Sequence, residues 1–136
     1  MSGKALQGVR VIDLTVWFQY LADFGADVIK VERPQGGDQA RGVRSIKSLE
    51  IGDWNQYFLV INRNKQSMAI DLKKPEGQEI LYRLVEKSDV FLTNLSPEMI
   101  AGWNLSYEKL SAINPKLVYA TNTGYGRFSK VTKPSF

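Results

Sequence analysis

Between Gly25 and Asp38 the chain passes from a glycine stop through a short apolar run into a polar turn, and few folds accept that order. Gly25 suits the left-handed position that closes a helix. Val28-Ile29-Lys30-Val31-Glu32 is short and β-branched, with the length and composition of a strand. Arg33-Pro34 and Gly36-Gly37-Asp38 then interrupt regular structure. Helix end, strand and turn make the second half of a strand–helix–strand unit. The same order recurs from Pro75-Glu76-Gly77 to Asn94. The chain therefore reads as one α/β layer built twice over, with a mainly parallel, Rossmann-like sheet and flanking helices. In such layers function sits in the loops leaving the C-terminal strand ends. Here those loops carry Arg33, Asn62-Arg63-Asn64-Lys65, Asn94 and Tyr125.

The remaining elements follow from the same signals. Val9 to Leu14 is a strand with Asp13 near its end, and Thr15 is placed to cap a short helix from Trp17 to Phe24. Val28 to Glu32 is apolar enough to be buried on both faces, as parallel strands are. Pro34 to Gly52 is a long polar connection, a length that points to a functional or covered loop. Trp54 to Val60 reads as a helical turn with its aromatics inward, and Ser67 to Leu72 as the third strand. Pro75 opens a helix with Glu76 and Glu79 at its positive end. Its apolar stripe is Ile80, Leu81, Leu84 and Val85. Asp89 to Leu92 is the fourth strand; Ser96-Pro97-Glu98 starts a short helix, Ser106 caps another through Ile113, and Leu117 to Thr121 is the fifth strand. Residues 1–126 are expected to form one α/β segment. Residues 127–136 read as an irregular basic tail, as if the chain were cut short or completed by a neighbour.

Composition narrows the chemistry. The chain has no cysteine and no histidine. Thiolate catalysis, disulfides and the commonest metal ligands are thereby excluded, and no metal is expected. Acid–base or nucleophilic work would fall to carboxylate, lysine, tyrosine or hydroxyl. The net charge of +4 suits an anionic small ligand or nucleic acid equally well. Arg41, Arg44, Lys47, Arg127, Lys130 and Lys133 would carry the nucleic-acid reading, but no nucleic-acid motif accompanies them and that partner is not expected. Met1 to Gly8 lacks the apolar core of a signal peptide and no run is long enough to span a bilayer, so a cytoplasmic chain without membrane contact is expected. Thr15 to Gln19 contains no glycine, which rules out a dinucleotide-binding loop after the first strand, and no P-loop is present.

Four blocks together carry a family likeness. They are Leu6 to Thr15 with its Gly8-Val9-Arg10-Val11-Ile12-Asp13-Leu14 run, Leu21 to Pro34 with Gly36-Gly37-Asp38, Asn62-Arg63-Asn64-Lys65 running to Asp71-Leu72-Lys73 and Pro75-Glu76-Gly77, and Asn114 to Ala120 leading to Gly124-Tyr125-Gly126. In that order the chain resembles the N-terminal part of the class III CoA-transferases, the family of formyl-CoA transferase, carnitine CoA-transferase and α-methylacyl-CoA racemase. The resemblance implies an interlocked-dimer fold and a transferase that moves CoA between two carboxylic acids. Acyl-CoA is then a substrate, and the partner a second copy or a complementary chain. It also implies a catalytic aspartate that attacks the acyl-CoA and lies beyond Phe136; none of Asp13, Asp23, Asp27, Asp38, Asp53, Asp71 or Asp89 stands at that position. The family carries a longer, Ala-Gly-Pro-containing segment where only Val16 to Tyr20 separate Thr15 from Leu21. Thr123 stands where some members have lysine. An inactive remnant, or a free-standing CoA-binding or interaction module, is the alternative.

CoA-binding candidates implied by the resemblance are Arg33, Asn62, Lys65, Leu72, Asn94, Leu95 and Tyr125. Arg33 directly follows a strand, where a guanidinium can meet a phosphate in a bidentate pair; otherwise it is a solvated strand-end arginine. Asn62 and Lys65 offer amide and cationic donors, or else a turn and plain surface. Asn94-Leu95 precedes a helix start whose amides favour anions, or is a strand-to-helix cap. Tyr125 stands between two glycines and can stack on adenine, or be a core tyrosine. Asp38 reads as a turn or helix cap.

Overall fold

The computed structural model describes residues 3–17, 20–42, 50–51 and 54–126. Five strands form one parallel sheet: β1 (Arg10–Leu14), β2 (Asp27–Glu32), β5 (Gln66–Ala69), β6 (Val90–Thr93) and β7 (Val118–Thr121), in the order β5-β2-β1-β6-β7. A separate antiparallel pair joins β3 (Glu50–Ile51) to β4 (Trp54–Asn55). The helices are α1 (Gln56–Ile61), α2 (Pro75–Val85), α3 (Pro97–Gly102) and α4 (Tyr107–Ile113), with a 3₁₀ turn at Gln39–Gly42.

Strand alternation divides the side chains between two faces. On one face Ile12, Leu14, Val31, Ile70 and Phe91 meet Leu81 and Val85 of α2 and Leu110 of α4 in the main core. Phe91, Ile12, Leu81, Leu105 and Leu110 are fully enclosed there. The opposite face is apolar only toward the strand N-termini, where Val11, Val28 and Leu92 pack with Ala22 and Ala26. Toward the C-termini that face turns polar.

Pro75 occupies the first turn of α2, as its fixed φ favours. Gly77 shows how tightly α2 is seated: a Cβ there would lie 2.1 Å from the Asp71 backbone oxygen. Gly77→Ala forces the helix off the loop that leaves β5. A loss of about 1–3 kcal/mol, the usual range for overpacking, is expected in urea unfolding.

Several boundaries differ from the sequence reading. Trp17 to Phe24 does not form a helix among the described residues. Trp17 has a left-handed φ of 82°, through which no helix continues, and residues 20–25 are turns closed by Gly25 N–H to the Ala22 carbonyl and Ala26 N–H to the Leu21 carbonyl. Residues 18 and 19 lie outside the described residues. β2 is buried as expected but is not apolar throughout: Lys30 and Glu32 are inside it at 2% and 6% exposure. β5 stops at Ala69, three residues short, because Ile70 and Leu72 turn into the core. In the connection from Pro34 to Gly52, positions 43–49 and 52 lie outside the described residues, as does the tail from 127 to 136. Among the described residues no helix is long and apolar enough to cross a membrane.

Candidate functional site

The strand order itself marks a place for a ligand. From β1 the chain winds to β2 and β5 on one side, then crosses to β6 and β7 on the other. The switch of direction therefore falls between β1 and β6, and the carboxyl ends of such strands are where open α/β sheets bind ligands. Asn94 spans the switch: the Val16 N–H donates to Asn94 Oδ1 at 3.0 Å, and Asn94 Nδ2 donates to the Val16 carbonyl at 2.8 Å. The amide thus mimics a strand partner and pins the exit of β1 to the exit of β6. Leu95, half-buried, packs on the main core, and its N–H is taken by Thr93 Oγ1.

Beneath this edge lies a buried ionic network. Asp13 and Lys30 are paired in register on the polar face. Lys65 Nζ meets Asp13 Oδ2 at 2.7 Å with both side chains 4% or less exposed. Asp13 Oδ1 accepts from the Thr15 N–H and hydroxyl. Lys30 Nζ donates to the Thr15 carbonyl and pairs with Asp38 at 2.6 Å. Glu32 Oε2 accepts from the Asp38 N–H and Arg41 Nε, and Oε1 from Arg41 Nη2 and Ser67 Oγ. Three cations and three carboxylates compensate one another, the condition under which charges are tolerated inside a protein. Burial pushes the Glu32 carboxyl upward, but the hydrogen bonds from Arg41, Ser67 and Asp38 together with the Arg41 charge outweigh it. The net result is a pKa lowered from 4.5 to about 2. A cavity of about 10 Å³ between Asp13, Lys65, Tyr20 and Val28 has room for about one water.

The structure brings some of the sequence candidates to one edge and withdraws others. Arg33 leaves β2 at that edge and is exposed; its Nε donates to the Gly37 carbonyl at 3.0 Å. Tyr125 follows β7 at the same edge and is 52% exposed. Lys65 is enclosed, and a phosphate could take its ammonium only by stripping Asp13 of its partner. Asn62 caps α1, its Nδ2 bonded to the Phe58 carbonyl and its Oδ1 to Lys65. Leu72 is 5% exposed in the main core, with its carbonyl held by Gln78. The helix after Asn94-Leu95, α3, has only six residues and is capped by Ser96 Oγ on the Met99 N–H. Asp38 caps as expected, accepting the Ala40 N–H. Arg41, read as a possible nucleic-acid contact, is committed to Glu32 and lies 3.8 Å over the Phe58 ring. Arg44, Lys47, Arg127, Lys130 and Lys133 lie outside the described residues.

The sequence reading missed the network and two exposed cations, Lys73 and Lys74, in the loop that leaves β5. One signal was available. Asp13, Lys30 and Glu32 are charges at strand positions within otherwise apolar runs, where burial demands partners. Among the described residues no group of side chains could hold a metal ion.

The family model for CoA-transferase family III matches residues 6–135. The chain belongs to CoA-transferase family III. This CoA-transferase family chain is 42% identical over 130 residues to formyl-CoA:oxalate CoA-transferase of Bradyrhizobium sp. (strain ORS 278), covering 90% of the chain and 30% of that relative. It is 43% identical over 131 residues to succinate–glutarate CoA-transferase of Agrobacterium fabrum, covering 90% of the chain and 33% of that relative. The chain thus spans about a third of the curated relatives it matches. Among solved structures, a CAIB/BAIF family protein from Brucella suis superposes with a TM-score of 0.83 at 35% identity, over 94% of this chain and 35% of that one. A hypothetical protein from Mycobacterium tuberculosis does so at 0.84 and 35% identity, over 98% and 36%. The α/β architecture expected from the sequence is the one these relatives share.

Proposed function

We propose that this family III chain forms the CoA-binding α/β segment of an enzyme that transfers CoA between carboxylic acids, with the nucleophilic aspartate supplied from outside residues 1–136. The observation that carries the reading is the position of Arg33 on the C-terminal edge. Its Nε is tied to Gly37, and its Nη atoms have no partner among the described residues. A guanidinium held in that way offers two parallel donors to a phosphate. Asn94 and Leu95 shape the neighbouring exits of β1 and β6, Tyr125 supplies a ring for the adenine, and Lys73 and Lys74 add positive charge. Asn62, Lys65 and Leu72 hold the scaffold beneath. A CoA thioester is accordingly the substrate, and a second copy of the chain the partner in assembly, which would cover the exposed Trp17, Tyr20 and Phe24.

The aspartates among the described residues support a nucleophile elsewhere; Asp53 lies outside the described residues. Asp13 and Asp38 are buried in ion pairs, Asp23 is bound by Arg63 and Asn64, and Asp27 by Arg10. Asp71 caps the turn at Lys73, and Asp89 accepts the Arg10 N–H. A carboxylate so engaged is a poor attacking group. Incubation of the purified chain with labelled acyl-CoA and a free acid is expected to give CoA binding, seen by equilibrium dialysis, without exchange of the acyl group. Exchange abolished by substituting one of these aspartates would contradict the placement of the nucleophile, and no retention of CoA would contradict the function.

A further inference from the structure

We propose that Arg41 is a positioning residue: through Glu32 and the glycine turn it holds Arg33 with its guanidinium fork outward, ready for a phosphate. This rests on the CoA-binding reading above and adds a residue to it. Gly36 and Gly37 are both left-handed, with φ of 77° and 62°. A Cβ on Gly37 would stand 2.6 Å from Glu32 Oε2 and 2.7 Å from Arg41 Cδ. The turn therefore runs directly over the Glu32–Arg41 pair, and only glycine fits between. A Cβ on Gly36 would lie 3.6 Å from an Arg33 Nη atom, so the guanidinium rests against the turn.

Arg41 grips both oxygens of Glu32 at 2.7 and 2.8 Å, and its guanidinium stacks on Phe58 of α1. Glu32 fixes the Asp38 N–H at 2.7 Å, and Lys30 holds the Asp38 carboxylate from below. The Gly37 carbonyl, trapped between these anchors, receives Arg33 Nε. Glycine takes the left-handed conformation without strain, so what fixes the turn is this set of contacts and the lack of room for a Cβ at Gly37. An arginine ordered before binding does not lose its rotamer freedom on binding, which raises affinity without adding a contact.

The test is a double-mutant cycle on the full chain, with CoA titrated into wild type, Arg41→Met, Arg33→Ala and the double variant. Methionine keeps an apolar, unbranched side chain at this position and deletes the fork. Arg41→Met is expected to weaken CoA about three- to tenfold, the cost of ordering one free side chain. It should also shrink the further loss from Arg33→Ala by a similar factor, because an unpositioned Arg33 has less to lose. A general loss of stability would not couple to Arg33 in this way. Arg41→Lys, which keeps the charge and one donor, serves if Arg41→Met does not fold, and should lie between wild type and the Arg33 variant with the same coupling. Wild-type binding with independent, multiplying effects would overturn the positioning role and leave the CoA reading standing. Absence of CoA binding by the wild type would overturn both.

Discussion

Lys65→Met is expected to remove about 3–5 kcal/mol of folding stability, the cost of breaking a buried ion pair from one side. Asp13 is 1% exposed, and its carboxylate relies on Lys65 for charge and on Thr15 for two further hydrogen bonds. Without the ammonium, a charge remains inside the sheet with no route to solvent. The double variant Asp13→Asn, Lys65→Met removes both charges and should recover much of the loss, since the desolvation penalty goes with them. Urea midpoints at constant slope would show this. A Lys65→Met chain as stable as wild type would mean that the pair contributes nothing, and would return Lys65 to the pool of ligand contacts.

Glu32 gives the second large effect, and it depends on pH. Its folded pKa of about 2 lies below the 4.5 of a free glutamate. The carboxylate therefore contributes stability that is fully present above about pH 4.5 and is lost as pH falls toward 2. The difference corresponds to up to about 3 kcal/mol. Wild type should lose that amount between those limits. Glu32→Gln, which cannot ionise, should begin less stable at neutral pH and show a shallower decline across the same window. Chemical denaturation at half-unit pH steps checks both. Parallel curves for the two proteins would show that the Arg41 and Ser67 contacts do not hold the carboxylate in solution.

Much of the fold was legible because strand and helix signals were local. Pro75, the stripe through Leu81 and Val85, and the Ser96 and Ser106 caps mark their helices without reference to the rest of the chain. Trp17 to Phe24 was misread because its pattern is helical, whereas the left-handed Trp17 and the bonding of the Leu6 N–H to the Phe24 carbonyl are tertiary. The site was legible as an edge but not as a division of labour. Arg33 and Lys65 are equivalent as letters, both cations beside strands. Only the register that sets Asp13 against Lys30, and lays Lys65 across them, separates an exposed fork from an internal counter-ion. Asn94 likewise looked like a ligand donor, and its amide is spent on Val16.

The measurement that bears most directly on CoA recognition is calorimetric titration of wild type and Arg33→Ala with CoA and with dephospho-CoA. Recognition of the ribose phosphate, the group that dephospho-CoA lacks, by the Arg33 fork predicts that wild type binds CoA more tightly than dephospho-CoA. It also predicts that Arg33→Ala weakens CoA by about 1.5–3 kcal/mol, the scale of a charge-assisted hydrogen bond, while barely changing dephospho-CoA. Equal affinities across the four pairings would contradict it.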